Sequence, residues 1–184
     1  MVTNPPFSLF REYVAVLMEH QKKFIVIGSQ NAITYKEIFP LLKDDDVWLG
    51  STHPKEFMQR DGTVKKFGNI CWFTNLDIKK RHEELILVKK YAGHEDEYPT
   101  YDNYDAIEVS KVVDIPLDYD GVMSVPITFM DKCNPEQFEI IDINPHFFTL
   151  VSCGFEKPKQ LTLKHYGGKD PYARVLIRNK HPEL

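Results

Sequence analysis

The chain has 184 residues, enough for one domain or one domain with an appendage, and its 42% hydrophobic content supports a buried core. The net charge of −4 is not that of a simple DNA-coating protein, and the apolar runs are too short and too interrupted by charge for a signal peptide or a membrane span. Cys71, Cys133 and Cys153 stand far apart without Cys-x-x-Cys spacing, which argues against disulfides and a zinc site and fits a cytosolic setting.

Met1-Val2-Thr3 reads as the end of a strand, and Asn4-Pro5-Pro6-Phe7 follows it. This turn resembles the active-site signature of enzymes that methylate exocyclic amino groups of bases. An exocyclic amine is a poor nucleophile because its lone pair is delocalised into the ring. Two acceptors on its hydrogens, the Asn4 carboxamide oxygen and the Pro5 carbonyl, draw the nitrogen toward sp³ and expose that lone pair. The prolines lock φ and remove competing donors, while Phe7 offers a face to a base taken out of the stack. The alternative is a plain X-Pro-Pro turn with Phe7 in the core.

Residues 8–22 are helical in pattern, with Leu9, Phe10, Tyr13, Val14, Leu17 and Met18 at spacings of three and four and Ser8 as cap. Residues 24–28 form an apolar run suited to a buried parallel strand. Residues 34–43 read as a second helix, broken or bent by Pro40. This β-turn-α-β-α series is the unit of a parallel sheet, whose ligands bind at the carboxyl ends of the strands. Asn4 sits at one such end and Ser29, Gln30 and Asn31 at the next.

Residues 50–68 read as a mobile loop carrying Lys55, Arg60, Lys65 and Lys66. Residues 69–76 and 84–90 read as two strands of an antiparallel hairpin, with Lys79, Lys80 and Arg81 in its basic turn. Tyr98, Tyr101 and Tyr104 cradle a base or pin an irregular segment, and the second is the preferred reading. A short edge strand is expected at 109–113, a turn at 131–136, and strands at 138–143 and 173–177. His53, His82, His94 and His146 are scattered, and no metal, Ser-His-Asp or P-loop pattern occurs in the sequence.

Charge is uneven along the chain. Residues 92–120 carry nine acids against the single Lys111, whereas residues 157–181 carry seven bases against the single Asp170. The basic end, with Tyr166, Tyr172, His165 and Gly167-Gly168, suits phosphate contact. The alternative is a solvated strand pair. Candidate DNA-binding residues are Lys79, Lys80, Arg81, Lys164, Arg174 and Arg178.

Together the Asn4–Phe7 turn and the segments FGNICWFTNL (67–76), RHEELIL (81–87), YDNYDAIEVSKVVDIP (101–116), DYDGVMSVPITFMDKCNPEQFEII (118–141) and YARVLIRNK (172–180) resemble the EcoRI-type adenine-specific DNA methyltransferases of restriction–modification systems. The resemblance implies an α/β fold: an incomplete Rossmann-like methyltransferase sheet, from the fourth strand onward, with a C-terminal mixed, β-rich extension. It implies a partial catalytic domain at residues 1–91 and a family-specific extension, a target-recognition element, at 92–184. Asn4, Pro5, Pro6 and Phe7 would be catalytic, the cofactor S-adenosyl-L-methionine, the substrate double-stranded DNA, and the setting the bacterial cytoplasm. The family's glycine-rich donor loop and its acidic ribose-binding residue have no match in these residues, so donor binding by this chain is expected to be weak or absent.

Two classes of function follow. One is the catalytic and target-recognition portion of an S-adenosylmethionine-dependent DNA adenine N6-methyltransferase, without the donor-binding half. The other is a non-catalytic nucleic-acid-binding module or a truncated inactive remnant of such an enzyme. A sheet cut before its fourth strand exposes an edge, which points to a homodimer or to pairing with a missing N-terminal half.

Overall fold

The computed structural model describes residues 1–59, 61–101, 104–143 and 173–183. The chain is mixed α/β and divides into two units, residues 1–80 and 81–184. Lys164 and Arg60 lie outside the described residues, as does the Gly167-Gly168 turn.

The first unit is built on a four-stranded sheet. Its strands are β1 (Val2–Thr3), β2 (Ile25–Ser29), β3 (Trp48–Leu49) and β6 (Ile70–Thr74), in the order β1-β2-β6-β3. The β1–β2 pair is parallel, as the sequence predicts, and β6 runs antiparallel to both β2 and β3. A 3-10 turn, Phe7–Leu9, leads into helix α1 (Phe10–Glu19), which connects the parallel pair. Ser8 does not cap α1; Leu9 takes that position without a side-chain bond. The spacing of four and then three puts Phe10, Val14 and Leu17 on the buried face of α1, while Leu9 and Val16 stay exposed.

Gly28 brings α1 onto the sheet. A Cβ there would lie 2.6 Å from the Phe10 ring and 2.9 Å from the Phe73 ring, so only hydrogen fits. Those two rings pack at 4.9 Å between centroids. At the sheet's other end, Thr74 Oγ1 donates to the Phe24 carbonyl, and Asn75 accepts from Phe24 N–H and donates to the Lys22 carbonyl. These side chains satisfy the backbone where the chain leaves α1 for β2.

Three readings of this unit change. The segment 34–43 is a 3-10 turn ending at Thr34 and a short helix α2 (Phe39–Lys43). Pro40 lies in the first turn of α2, where its missing N–H costs nothing, and so starts the helix rather than bending it. The 50–68 segment holds a two-stranded hairpin, β4 (Glu56–Met58) and β5 (Val64–Lys66). Gly62, at φ +82°, donates to the Gln59 carbonyl, and Gln59 N–H donates to Thr63. Asp61 Oδ1 takes the Thr63 N–H and hydroxyl, which closes the turn. Lastly, β6 finds its hairpin partner in β3, upstream, and not in residues 84–90.

The second unit has another four-stranded sheet, from β7 (Ala106–Glu108), β8 (Val122–Pro126), β9 (Phe138–Ile143) and β10 (Arg174–Asn179), in the order β7-β8-β10-β9. β7 is parallel to β8; β10 is antiparallel to β8 and β9, with a register shift between Leu176 and Ile177. β9 and β10 fall where the sequence places them, the edge strand lies slightly upstream of 109–113, and β8 is an additional central strand. Met123, Val125, Ile107, Val175, Ile177 and the edge-on pair Phe129–Phe138 fill the core.

Residues 84–90 belong to this second unit. Gln137 clasps Leu85, donating to its carbonyl at 2.8 Å and accepting from its N–H at 2.9 Å. Lys89 bridges to Pro116, and Asp118 accepts from Tyr91 and Ala92 N–H. The backbone at Leu85, Lys89, Tyr91 and Ala92 is therefore held by side-chain and backbone groups from later in the chain, and the structural division falls before it, after Lys80. Among the described residues no helix is long and apolar enough to cross a membrane.

Candidate active site

The Asn4-Pro5-Pro6-Phe7 turn lies at the carboxyl end of β1. The parallel pairing puts Ser29, Gln30 and Asn31 at the matching end of β2. Pro6 is extended at φ −55° and ψ 130°, and its carbonyl accepts from Leu9 N–H to open the 3-10 turn. Pro5 is buried, whereas Asn4 is exposed and Phe7 is 40% exposed. Among the described residues, no group takes up the Asn4 carboxamide or the Pro5 carbonyl. Both acceptors that the chemistry requires are therefore free.

These four residues open onto a cavity of about 470 Å³. Phe57, Met58, Gln59, Phe67 and Ile70 complete its lining. Phe57 and Phe67 meet edge-on at 5.4 Å, which stiffens the base of the hairpin. Sequence reasoning missed these residues. The signal was present in Asp61-Gly62 between Phe57-Met58 and Val64, a hairpin pattern hidden by the lysines and prolines around it. A larger cavity of about 550 Å³ lies within the second unit, and no Phe, Tyr or Trp lines it.

The basic candidates are dispersed. Lys79, Lys80 and Arg81 form the 3-10 turn Lys79–His82, with Lys79 exposed and the other two half-buried. Arg178 pairs with Glu139 across β10 and β9 at 3.4 Å. Arg174 turns inward: its side chain is 15% exposed, and Nη2 lies 2.5 Å from Glu108 Oε1. That contact is a charge contact off the hydrogen-bond axis, since Oε1 and the Arg174 Nε both lack a hydrogen-bond partner. Glu108 also accepts from the Tyr101 hydroxyl, which is 2.7 Å from Ser124 Oγ. Burial raises the Glu108 carboxyl above its ordinary range against the lowering effects of Tyr101, Arg174 and Ser124. Burial likewise raises Tyr101, so its hydroxyl stays a donor.

The described residues contain no strand–glycine-loop–helix, and the strand glycine Gly28 is filled against by Phe10 and Phe73 rather than left as a cradle. Among them, no group of three or more His, Cys, Asp or Glu is placed to hold a metal.

The family model described as adenine-specific methyltransferase EcoRI matches residues 1–180. The chain is 46% identical to the type II methyltransferase M.EcoRI of Escherichia coli, over 98% of this chain and 57% of that protein. It is 39% identical to the type II methyltransferase M.MpnI of Mycoplasma pneumoniae, over 98% of this chain and 64% of that protein. The chain thus spans less than two thirds of the length of these curated relatives. No solved structure matches it.

Proposed function

The chain belongs to the EcoRI adenine-specific methyltransferase family, and from that premise we propose that it is the catalytic and target-recognition portion of an S-adenosylmethionine-dependent DNA adenine N6-methyltransferase of a restriction–modification system. The observation that carries this reading is the free Asn4 carboxamide and Pro5 carbonyl at the mouth of an aromatic-lined cavity. The parallel β1–β2 pair, joined by α1, supports an incomplete Rossmann-like sheet. In this reading residues 1–91 act on the base and residues 92–184 contribute to target recognition.

The chain's own residues perform the base half of the reaction. Phe7 stacks on the extruded adenine. Asn4 Oδ1 and the Pro5 carbonyl accept the two N6 hydrogens, and as N6 attacks the methyl group the same oxygens stabilise the positive charge that develops there. The apolar side chains of the lining lower the polarity around both contacts. S-adenosylmethionine, when bound, would supply the electrophilic methyl group, its S–CH3 bond breaking to leave a neutral thioether as the N6–C bond forms.

The test is Asn4→Ala in a form of the enzyme that includes a donor-binding half, with transfer of labelled methyl to adenine N6 as readout. We expect transfer to fall by about 10²–10³, the usual effect of deleting one oriented charge-stabilising group, with a much smaller change in DNA affinity. Near-normal turnover would make the turn structural. No transfer by the unmutated form would favour the non-catalytic module.

A further inference from the structure

Of the nine residues around the cavity, seven are Pro, Phe, Met or Ile, and two carry carboxamides, Asn4 and Gln59. Adenine places a ring-nitrogen acceptor on each side of its exocyclic amine, N1 and N7. Asn4, occupied with the amine, can serve at most one of these through a two-pronged contact. An acceptor enclosed without a donor weakens binding, and Gln59 is the other side-chain donor in the lining.

Gln59 is also held as a ligand-reading residue should be. Its backbone is fixed by the hairpin turn, donating to the Thr63 carbonyl at 2.7 Å and accepting from Gly62 N–H at 3.0 Å. Its carboxamide takes no partner among the described residues. Two residues before it, Phe57 packs on Phe67 and steadies the hairpin. The residue is thus anchored through its main chain and leaves its side chain to an occupant.

We propose that Gln59 is a base-recognition residue whose Nε2 donates to a ring nitrogen of the target adenine while Asn4 and Pro5 hold the amine. The inference rests on the reading of the turn as a base-handling site. Gln59 then helps select the base and fixes the angle at which the amine meets its two acceptors.

Fluorescence anisotropy of this chain with single-stranded oligothymidine probes tests it. Each probe carries one central adenine, 1-deazaadenine or 7-deazaadenine, and plain oligothymidine is the reference. We expect one deaza probe to bind the unmutated chain about 3- to 10-fold more weakly than the adenine probe, the worth of one hydrogen bond. Gln59→Leu should lose affinity for the adenine probe by the same factor and lose nothing more on that deaza probe. Independent, additive losses would overturn the proposal, as would equal binding of all three base probes. An adenine preference that depends on Asn4 but not on Gln59 sinks only this inference. No adenine preference at all, with Asn4→Ala without effect, sinks the base-handling reading as well. Gln59 is exposed, so a melting curve matching the unmutated chain is expected and excludes misfolding.

Discussion

At the scale of single residues, the second unit is centred on a buried polar group that the sequence presents only as scattered letters. Tyr101, Glu108, Ser124 and Arg174 come from four places in the chain and meet inside the sheet of β7, β8 and β10. Such a network loses stability when a member loses its partner. Tyr101→Phe removes the donor to Glu108, and we expect a loss of about 1–3 kcal/mol, the cost of an unsatisfied buried group. Urea unfolding should show a lower midpoint with an unchanged slope. The same contact places Arg174, a candidate for phosphate contact, in an intramolecular role. At the turn itself, Phe7→Ala should weaken capture of an unstacked base by about 1–3 kcal/mol, measured as the affinity for an oligonucleotide with one unpaired adenine.

Between α1 and its sheet, the critical dimension is one hydrogen atom wide. Gly28→Ala drives a methyl group to 2.6 Å from the Phe10 ring, and both Phe10 and Phe73 are fully enclosed. Overpacking of this kind costs about 1–3 kcal/mol. Thermal unfolding should therefore shift down, and a paired Phe10→Leu should recover part of the loss. The segment 84–92 depends on side chains in another way. Burial alone would raise the Asp118 carboxyl, but hydrogen bonds from Tyr91 and Ala92 N–H outweigh it and hold the group below its ordinary value. A carboxyl lowered in the fold stabilises above its unfolded pKa of about 3.9, and that stability is lost as pH falls through the folded value. Asp118→Asn should flatten the acid limb of a stability–pH curve; an unchanged limb would assign the acid sensitivity to other groups.

For the whole molecule, the questions are what it binds and what it assembles with. We propose that Lys79, Lys80 and Arg81 contact phosphates, with Arg178 and Lys164 as further candidates. Replacing Lys79, Lys80 and Arg81 together by Ala should weaken binding to all sequences alike. Each lost phosphate contact should reduce the log–log salt slope by roughly 0.9, and an unchanged slope would leave the turn merely solvated. The edge strand β1 carries exposed Val2, next to exposed Met1, an apolar edge of the kind that seeks another strand. We therefore expect self-association at tens of micromolar. A monomeric sedimentation profile with cooperative melting would count against it. Isothermal calorimetry with S-adenosylmethionine should register weak or no binding by this chain.

What the sequence determined by itself was whatever depends on neighbours along the chain. The Asn-Pro-Pro-Phe turn is legible because two prolines restrict their own backbone whatever surrounds them. The face of α1, the parallel β1–β2 pair and strands β9 and β10 are legible because apolar spacing records burial directly. Tertiary structure decided the rest, because the deciding contacts join distant residues. Residues 84–90 are as apolar as a strand, yet Gln137 and Asp118 take up backbone groups in and beside them and draw the segment into the second unit. Pro40 starts a helix because the chain around it turns there, which no local rule distinguishes from a bend. The hairpin of β4 and β5 carries its own turn signal, but only folding brings Gln59 to the cavity that Asn4 opens. A site made of one local motif and one distant hairpin is half written in the sequence, and the other half exists only once the sheet is assembled.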